Sequence, residues 1–321
     1  MSHSLPLIDI SELEFTDSRG RRSVDAALQE ALRDIGFAYV EGHGIANEHI
    51  KELNETCIDF FSLTPEVKKN YTLNEWHRGY LAPEASTIVT SSVANVTKPN
   101  QSESFLALSE VNADGGEEEK PNPLDGPNQW PQELPPMEAV CKTYMRDMRM
   151  LSIQIVHSIA RGLGIDEDWF DKFFKCPTEF LRLLHYWPQE EEDGLYGAAP
   201  HTDYGFITLV AQDDVGGLEV RDRDGSWFGV PPIDGTFVLN VADILSFWTG
   251  GIFISTPHRV KNITGRERYS QPYFFDPSME TLVSPIPELH ENEAFKAVNY
   301  GNYLMERLDK NYDYRNSGIQ K

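Results

Sequence analysis

Cysteine is scarce in this 321-residue chain: only Cys57, Cys141 and Cys176 occur, an odd number at wide separations and with no CxxC pair. That excludes a disulfide framework, and a reducing, intracellular setting is expected. Long apolar runs are missing too, so no stretch approaches the length that spans a bilayer. The opening Met1-Ser2-His3-Ser4-Leu5-Pro6 has no basic region followed by an apolar one, and a cytoplasmic location is expected. Basic charge is outnumbered, with 28 Lys and Arg against 51 Asp and Glu and a formal net charge of −23. Such a field repels phosphate backbones and anionic membrane surfaces, which sets aside nucleic acid and membranes as partners. No internal repeat is found. What remains, 40% hydrophobic and 25% charged, is the composition of a globular chain long enough for one large core or two smaller ones.

Helical periodicity is clearest at Val24, Ala27, Leu28, Ala31, Leu32 and Ile35, with Gly36 where a C-cap belongs. A short β-prone run, Phe37 to Val40, follows, then a second helical pattern through Ile50, Leu53, Cys57 and Phe60 that stops before Pro65. From Asn112 to Pro136 the chain is dense in Pro, Gly and acid, and an exposed connection is predicted. A long helix should run from Met137 toward Gly164. After Pro177 the spacing changes to short β-prone runs at Phe180–Leu184, Phe206–Val210, Leu218–Arg221, Phe237–Val241, Ile252–Ser255 and Tyr273–Phe275. Strands of this length between turn residues predict an antiparallel sandwich or barrel. Helical spacing returns from Glu288 to about Asp313.

In Pro200-His201-Thr202-Asp203-Tyr204 the His and Asp stand two apart, so on a strand both side chains leave one face. Alone, such a tripeptide is usually a surface hydrogen-bonding pair. A second His, His258, follows 55 residues after Asp203, at the end of another predicted strand. Two imidazoles and one carboxylate form the facial ligand set of non-haem Fe(II), which leaves the opposite positions open. Zinc accepts the same donors, though its structural sites favour closed tetrahedral sets, often with Cys. Ten residues beyond His258, Arg268 and Ser270 share a strand face, and a guanidinium beside a hydroxyl suits a carboxylate.

HTDYGFITLV, GGLEVRDRDGSW, NVADIL, STPHRV and RERYSQPYFFDP resemble the Fe(II)/2-oxoglutarate dioxygenases of the isopenicillin N synthase-like group, and the resemblance extends over nearly the whole chain. It implies a mainly β core, a double-stranded β-helix or jelly-roll, with an N-terminal α/β subdomain and flanking helices. The implied division is an N-terminal dioxygenase subdomain (1–115), a connecting loop and long helix (116–176), the jelly-roll core (177–285), and a C-terminal helix and tail (286–321). The resemblance implies Fe(II) on His201, Asp203 and His258. It places the distal carboxylate of the cosubstrate 2-oxoglutarate on Arg268 and Ser270, with Tyr186, in Leu184-His185-Tyr186-Trp187-Pro188, beside it. O2 is the third reactant, succinate and CO2 are products, and the substrate loses hydrogen from a C–H bond.

The family's usual approach segments correspond to Arg78-Gly79-Tyr80 and Glu103-Ser104-Phe105. Arg78, Tyr80, Phe105, Phe206 and Phe275 are the substrate-contacting candidates, Arg78 as receiver of a substrate carboxylate. Solvated or acid-paired Arg and plain core packing of the aromatics are the simpler readings of each. His3, His49, His77, His157 and His290 have no partner at metal spacing and are read as solvated or structural. His43 is expected to fix a turn, and His185 to make a local hydrogen bond. The expected function is oxidation of a small organic molecule by a monomer. Two alternatives stand: an oxidase of the same fold that needs no 2-oxoglutarate, and a catalytically silent jelly-roll binding protein.

Overall fold

A computed structural model describes residues 4–15, 19–110, 122–289 and 296–316. His3, His290 and Glu117-Glu118-Glu119 of the predicted connection lie outside these residues. The N-terminal part contributes β1 (Leu7–Asp9), α1 (Arg19–Asp34), β2 (Phe37–Glu41), α2 (Asn47–Ser62), α3 (Pro65–Lys69), β3 (Gly79–Leu81) and β4 (Glu103–Leu108). After α4 (Met137–Gly162) come β5 (Thr178–Tyr186), β6 (Ala198–His201), β7 (Ile207–Gln212), β8 (Leu218–Arg221), β9 (Trp227–Gly229) and β10 (Phe237–Val241). The chain continues through α5 (Asp243–Trp248), β11 (His258–Val260), β12 (Arg268–Asp276), β13 (Leu282–Val283), β14 (Val298–Asn299), α6 (Tyr300–Asn311) and α7 (Asp313–Asn316).

Eight strands form a large sheet in the order β1-β2-β10-β7-β12-β5-β4-β3, and four form a small one in the order β6-β11-β8-β9. Phe37, Tyr39, Leu184, Tyr186 and Val238 of the large sheet pack on Leu218, Val220 and Val260 of the small one. The two sheets thus enclose an apolar interior, the jelly-roll arrangement. The other face of the large sheet is covered by helices: Leu28 and Leu32 of α1, Leu53 and Phe60 of α2, and Met148, Leu151 and Ile155 of α4 share one core with Leu181, Leu183 and Tyr273. Strands β5 and β12 are therefore buried on both faces, and which face a side chain takes is decided by the two-residue period alone. Gly36 ends α1 at φ 77°, and a Cβ there would lie 2.1 Å from the Ile254 carbonyl oxygen, so only glycine fits the turn.

Three expectations are corrected. Ile252–Ser255 is not a strand: the Ile252 and Phe253 amides bond to Thr249 and the Ile254 amide to Leu32, so the segment's donors are used locally and against α1, and the strand begins at His258. Residues 122–136 of the predicted exposed connection are partly packed inward, with Leu124 buried and Asn128 bonded to the end of β4. The C-terminal helix begins only at Tyr300, because Asn299 accepts from the Asn302 amide as its N-cap and the preceding residues pair as β13 and β14. Among the described residues, no helix is long and apolar enough to cross a membrane.

Candidate active site

Antiparallel pairing of β6 with β11 sets His201 directly across from His258, and their rings lie 4.3 Å apart. Asp203 is not on the strand: β6 ends at His201, and the chain turns there into an irregular segment that brings the carboxylate under both imidazoles. The shared strand face expected for the pair is therefore corrected, although the convergence is real. Asp203 Oδ1 lies 3.7 Å from His201 Nε2 and 3.8 Å from His258 Nε2. Its other oxygen accepts from Thr208 Oγ1 at 2.6 Å and Asn240 Nδ2 at 2.8 Å, which leaves Oδ1 turned toward the imidazoles.

Each imidazole's Nδ1 meets a backbone carbonyl, Ala199 at 2.7 Å and Thr256 at 3.2 Å. Donation there leaves the Nε2 lone pairs free for a ligand. Burial first, then the neighbouring His258, pushes the His201 imidazole down to about 4, so it is neutral at physiological pH. Burial opposes ionisation of Asp203, but the two imidazoles and the Thr208 and Asn240 donors outweigh it and hold its carboxyl below the ordinary range. Two imidazole nitrogens and one carboxylate oxygen, without thiolate, suit a hard-to-borderline divalent ion with open positions such as Fe(II).

Two connected cavities open from this group, each about 700 Å³ to its mouth, and they share Arg182, His201, Asp203 and Phe274. One reaches Tyr186, Arg268 and Ser270. Register places Arg268 opposite Tyr186 and Ser270 opposite Leu184. Arg268 is 1% exposed and donates to Ser270 Oγ and Gln212 Oε1, both at 3.1 Å, with its guanidinium 4.8 Å from the Tyr186 ring centre. Its Nε has no hydrogen-bond partner, and the one carboxylate whose charge it feels, Asp213, is not hydrogen-bonded to it among the described residues. A buried cation in that condition is costly unless an anion arrives, and the distal carboxylate of a dicarboxylic acid fits it.

The second cavity runs from the triad to α6 and is walled by Leu304, Leu308 and Asn311. None of the five expected substrate residues lines it. Arg78 is 2% exposed and spends its guanidinium on the carbonyls of Leu108, Ser109 and Leu124 and on Asn128. Burial pushes its guanidinium down to about 10, and its hydrogen bonds staple the 122–128 segment to β4. Replacing Arg78 by Met should cost on the order of 3 kcal/mol, because several buried carbonyls lose their donors. Urea unfolding checks this, with 2-oxoglutarate dependence expected to stay at the wild-type value.

Tyr80 donates to Glu103, which also receives Lys68 and His185. Phe105 packs edge-on against Phe60, Phe206 lies among Phe170, Phe174 and Trp248, and Phe275 stacks on Phe174. The residues that face the cavity include neighbours of those named, His77, Leu106 and Phe274, together with Tyr204 and Arg182, which were not among the substrate candidates. The signal was available, since the period that puts Arg268 and Ser270 on one face also puts Phe274 there, and Tyr186 carries Arg182 with it.

The 2OG-Fe(II) oxygenase superfamily profile matches residues 177–277, and that of the N-terminal part of non-haem dioxygenases in morphine synthesis matches residues 5–133. A rice (Oryza sativa subsp. japonica) protein named homoarginine-6-hydroxylase 2-ODD-233 is 32% identical over 96% of this chain and 98% of its own. Clavatol oxidase claD of Penicillium crustosum is also 32% identical, over 97% of each chain. A full-length Neurospora crassa protein crystallised with alpha-KG and thymine is 29% identical with a TM-score of 0.82, covering 95% of this chain and 96% of that one. The chain belongs to the 2OG-Fe(II) oxygenase superfamily. It is a jelly-roll enzyme that depends on Fe(II) and 2-oxoglutarate and oxidises a small organic molecule.

Proposed function

We propose that His201, Asp203 and His258 hold the Fe(II), that Arg268 and Ser270 beside Tyr186 hold the distal carboxylate of 2-oxoglutarate, and that Arg182 orients the substrate. The observation that carries this is the buried guanidinium of Arg268, its Nε without a partner and no carboxylate hydrogen-bonded to it, in the cavity that holds a cluster of three metal-type donors. With both bound, Fe(II), 2-oxoglutarate and O2 supply oxidative decarboxylation to succinate and CO2 and the oxidising power for a substrate C–H. The chain's own contribution is placement: the cross-strand imidazoles fix one face of the ion, Arg268 sets the cosubstrate's far end, and the apolar walls exclude water.

For the substrate, Arg182 is the group that discriminates. It lies on the cavity side of β5 between the two cavities, close enough for its charge to depress His201. It donates to the Tyr312 hydroxyl at 3.3 Å, and its Nε is buried without a partner. The acids on the same wall are Asp203 and Asp276, and Asp276 is occupied by the Phe206 amide and the Tyr300 hydroxyl, with burial raising its carboxyl to about 7. A free donor fork and no free carboxylate favour a small neutral or singly anionic molecule that presents a carbonyl or carboxylate oxygen. The Neurospora relative's thymine is of that kind; a guanidinium such as homoarginine's is less well served. The net charge of −23 disfavours polyanions on encounter.

A panel of such molecules, incubated with Fe(II), 2-oxoglutarate and O2 and read by succinate formation and product mass, tests the reading. Arg182→Met should lower substrate-stimulated succinate by about tenfold or more, the loss of a charged hydrogen bond, without changing 2-oxoglutarate affinity. Stimulation only by a protein or nucleic-acid polymer would refute the small-molecule reading.

A further inference from the structure

The segment Thr202–Phe206 carries Asp203 but belongs to no strand, so no sheet ladder fixes it. Its anchors lie elsewhere. Asp243, at the start of α5, accepts from Thr202 Oγ1 at 3.2 Å and from the Tyr303 hydroxyl at 2.6 Å through one oxygen, and from Ser255 Oγ at 2.7 Å through the other. Its own amide donates to the Asp203 carbonyl at 2.9 Å. Asp276, at the end of β12, accepts from the Phe206 amide at 2.7 Å and from the Tyr300 hydroxyl at 2.8 Å. A third link joins Asn311 Nδ2 to the Tyr204 hydroxyl at 2.6 Å. The packing is close: a Cβ on Gly205 would sit 1.6 Å from Asp276 Oδ1.

Tyr300, Tyr303 and Asn311 all belong to α6. One helix therefore reaches both sides of the Asp203 segment, twice through a carboxylate that the segment and a helix tyrosine share. The same helix presents Leu304, Leu308 and Asn311 to the substrate cavity. We infer that α6 sets the position of Asp203 through Asp243 and Asp276, which act as positioning residues and make the cavity wall and the metal-bearing segment one mechanical unit. This rests on the reading of Asp203 as a metal ligand. Neither tyrosine need touch metal, cosubstrate or substrate; each acts only through the carboxylate it donates to.

Anaerobic titration of the metal-free protein with Co(II), read by the visible absorption of the bound ion, tests the inference together with thermal unfolding of the metal-free protein. Tyr303→Phe removes one hydroxyl and should weaken Co(II) binding about 3- to 10-fold. The pair Tyr300→Phe with Tyr303→Phe, and Asp243→Asn alone, should reach the 10–100-fold that loss of outer partners of a metal site costs. The absorption band should shift in the same variants, which lost stability alone would not produce. Should both tyrosine variants fold and bind Co(II) with wild-type affinity and spectrum, the inference is overturned, whether or not Asp243→Asn folds. His201→Ala serves as the reference: its expected loss of Co(II) binding supports the ligand assignment independently, whereas wild-type binding there would overturn that assignment and the inference with it.

Discussion

Asp203→Ala should abolish succinate formation and lower Fe(II) affinity by more than the 10–100-fold typical of losing a metal site's outer partner, while the protein stays folded. Asp203 is the one anion of the donor set, and its Oδ1 stands nearly equidistant from the two Nε2 atoms, 3.7 and 3.8 Å away. Without it, only the two imidazole nitrogens would be left to hold the ion, with no negative charge among the donors. The cost to the fold has two opposing parts. Thr208 and Asn240 lose their shared acceptor, about 1–3 kcal/mol for each donor left buried and unpaired. Against this, a carboxylate whose burial was itself unfavourable is gone. Fe(II) titration and urea unfolding of the variant check both halves, and iron binding at wild-type affinity would sink the assignment.

The residues of the site were legible because they are unusual for their setting; the walls were not, because they are ordinary. His201, Asp203, His258, Arg268 and Ser270 stand out as polar groups at fixed spacing among β-prone runs. The helices α1, α2 and α4 stand out through their apolar stripes. Yet a shared face for His201 and Asp203 needs a continuous strand, and the strand stops at His201. What brings the carboxylate into place is the set of bonds from Asp243, Asp276 and Asn240, all remote in sequence and therefore invisible to spacing.

The lining of the cavity beside the triad was hidden for a different reason. β4, β5 and β12 are buried on both faces, so hydrophobic alternation, the usual cue for facing, is erased. Phe105 and Phe275 were candidates on residue type, whereas it is their neighbours Leu106 and Phe274 that line the cavity beside the triad. Arg78 misled in the same way, since a lone cation in an approach segment looks available until the carbonyls that surround it are seen.

Arg268 should show opposite effects on cosubstrate binding and on stability. Its guanidinium is buried and hydrogen-bonded to the neutral Ser270 and Gln212 over the Tyr186 ring, with the Asp213 carboxylate acting on it only at longer range. Such a cation costs the metal-free, cosubstrate-free protein stability and recovers it when a carboxylate docks. Arg268→Lys keeps the charge but loses the bidentate fork, so 2-oxoglutarate affinity should fall by about 1–3 kcal/mol, roughly 5- to 150-fold. Arg268→Leu keeps the apolar stem against Tyr186 and removes the charge. Cosubstrate binding should then be lost, while the unliganded protein melts at or above the wild-type temperature. Added 2-oxoglutarate with a redox-inert divalent ion should raise the melting temperature of the wild type, since a ligand that binds only the folded state stabilises it by mass action, and should leave that of Arg268→Leu where the ion alone puts it. Two results would count against this assignment: an unchanged 2-oxoglutarate requirement in Arg268→Lys, or a loss of several kcal/mol of stability in Arg268→Leu, which would make Arg268 a structural group.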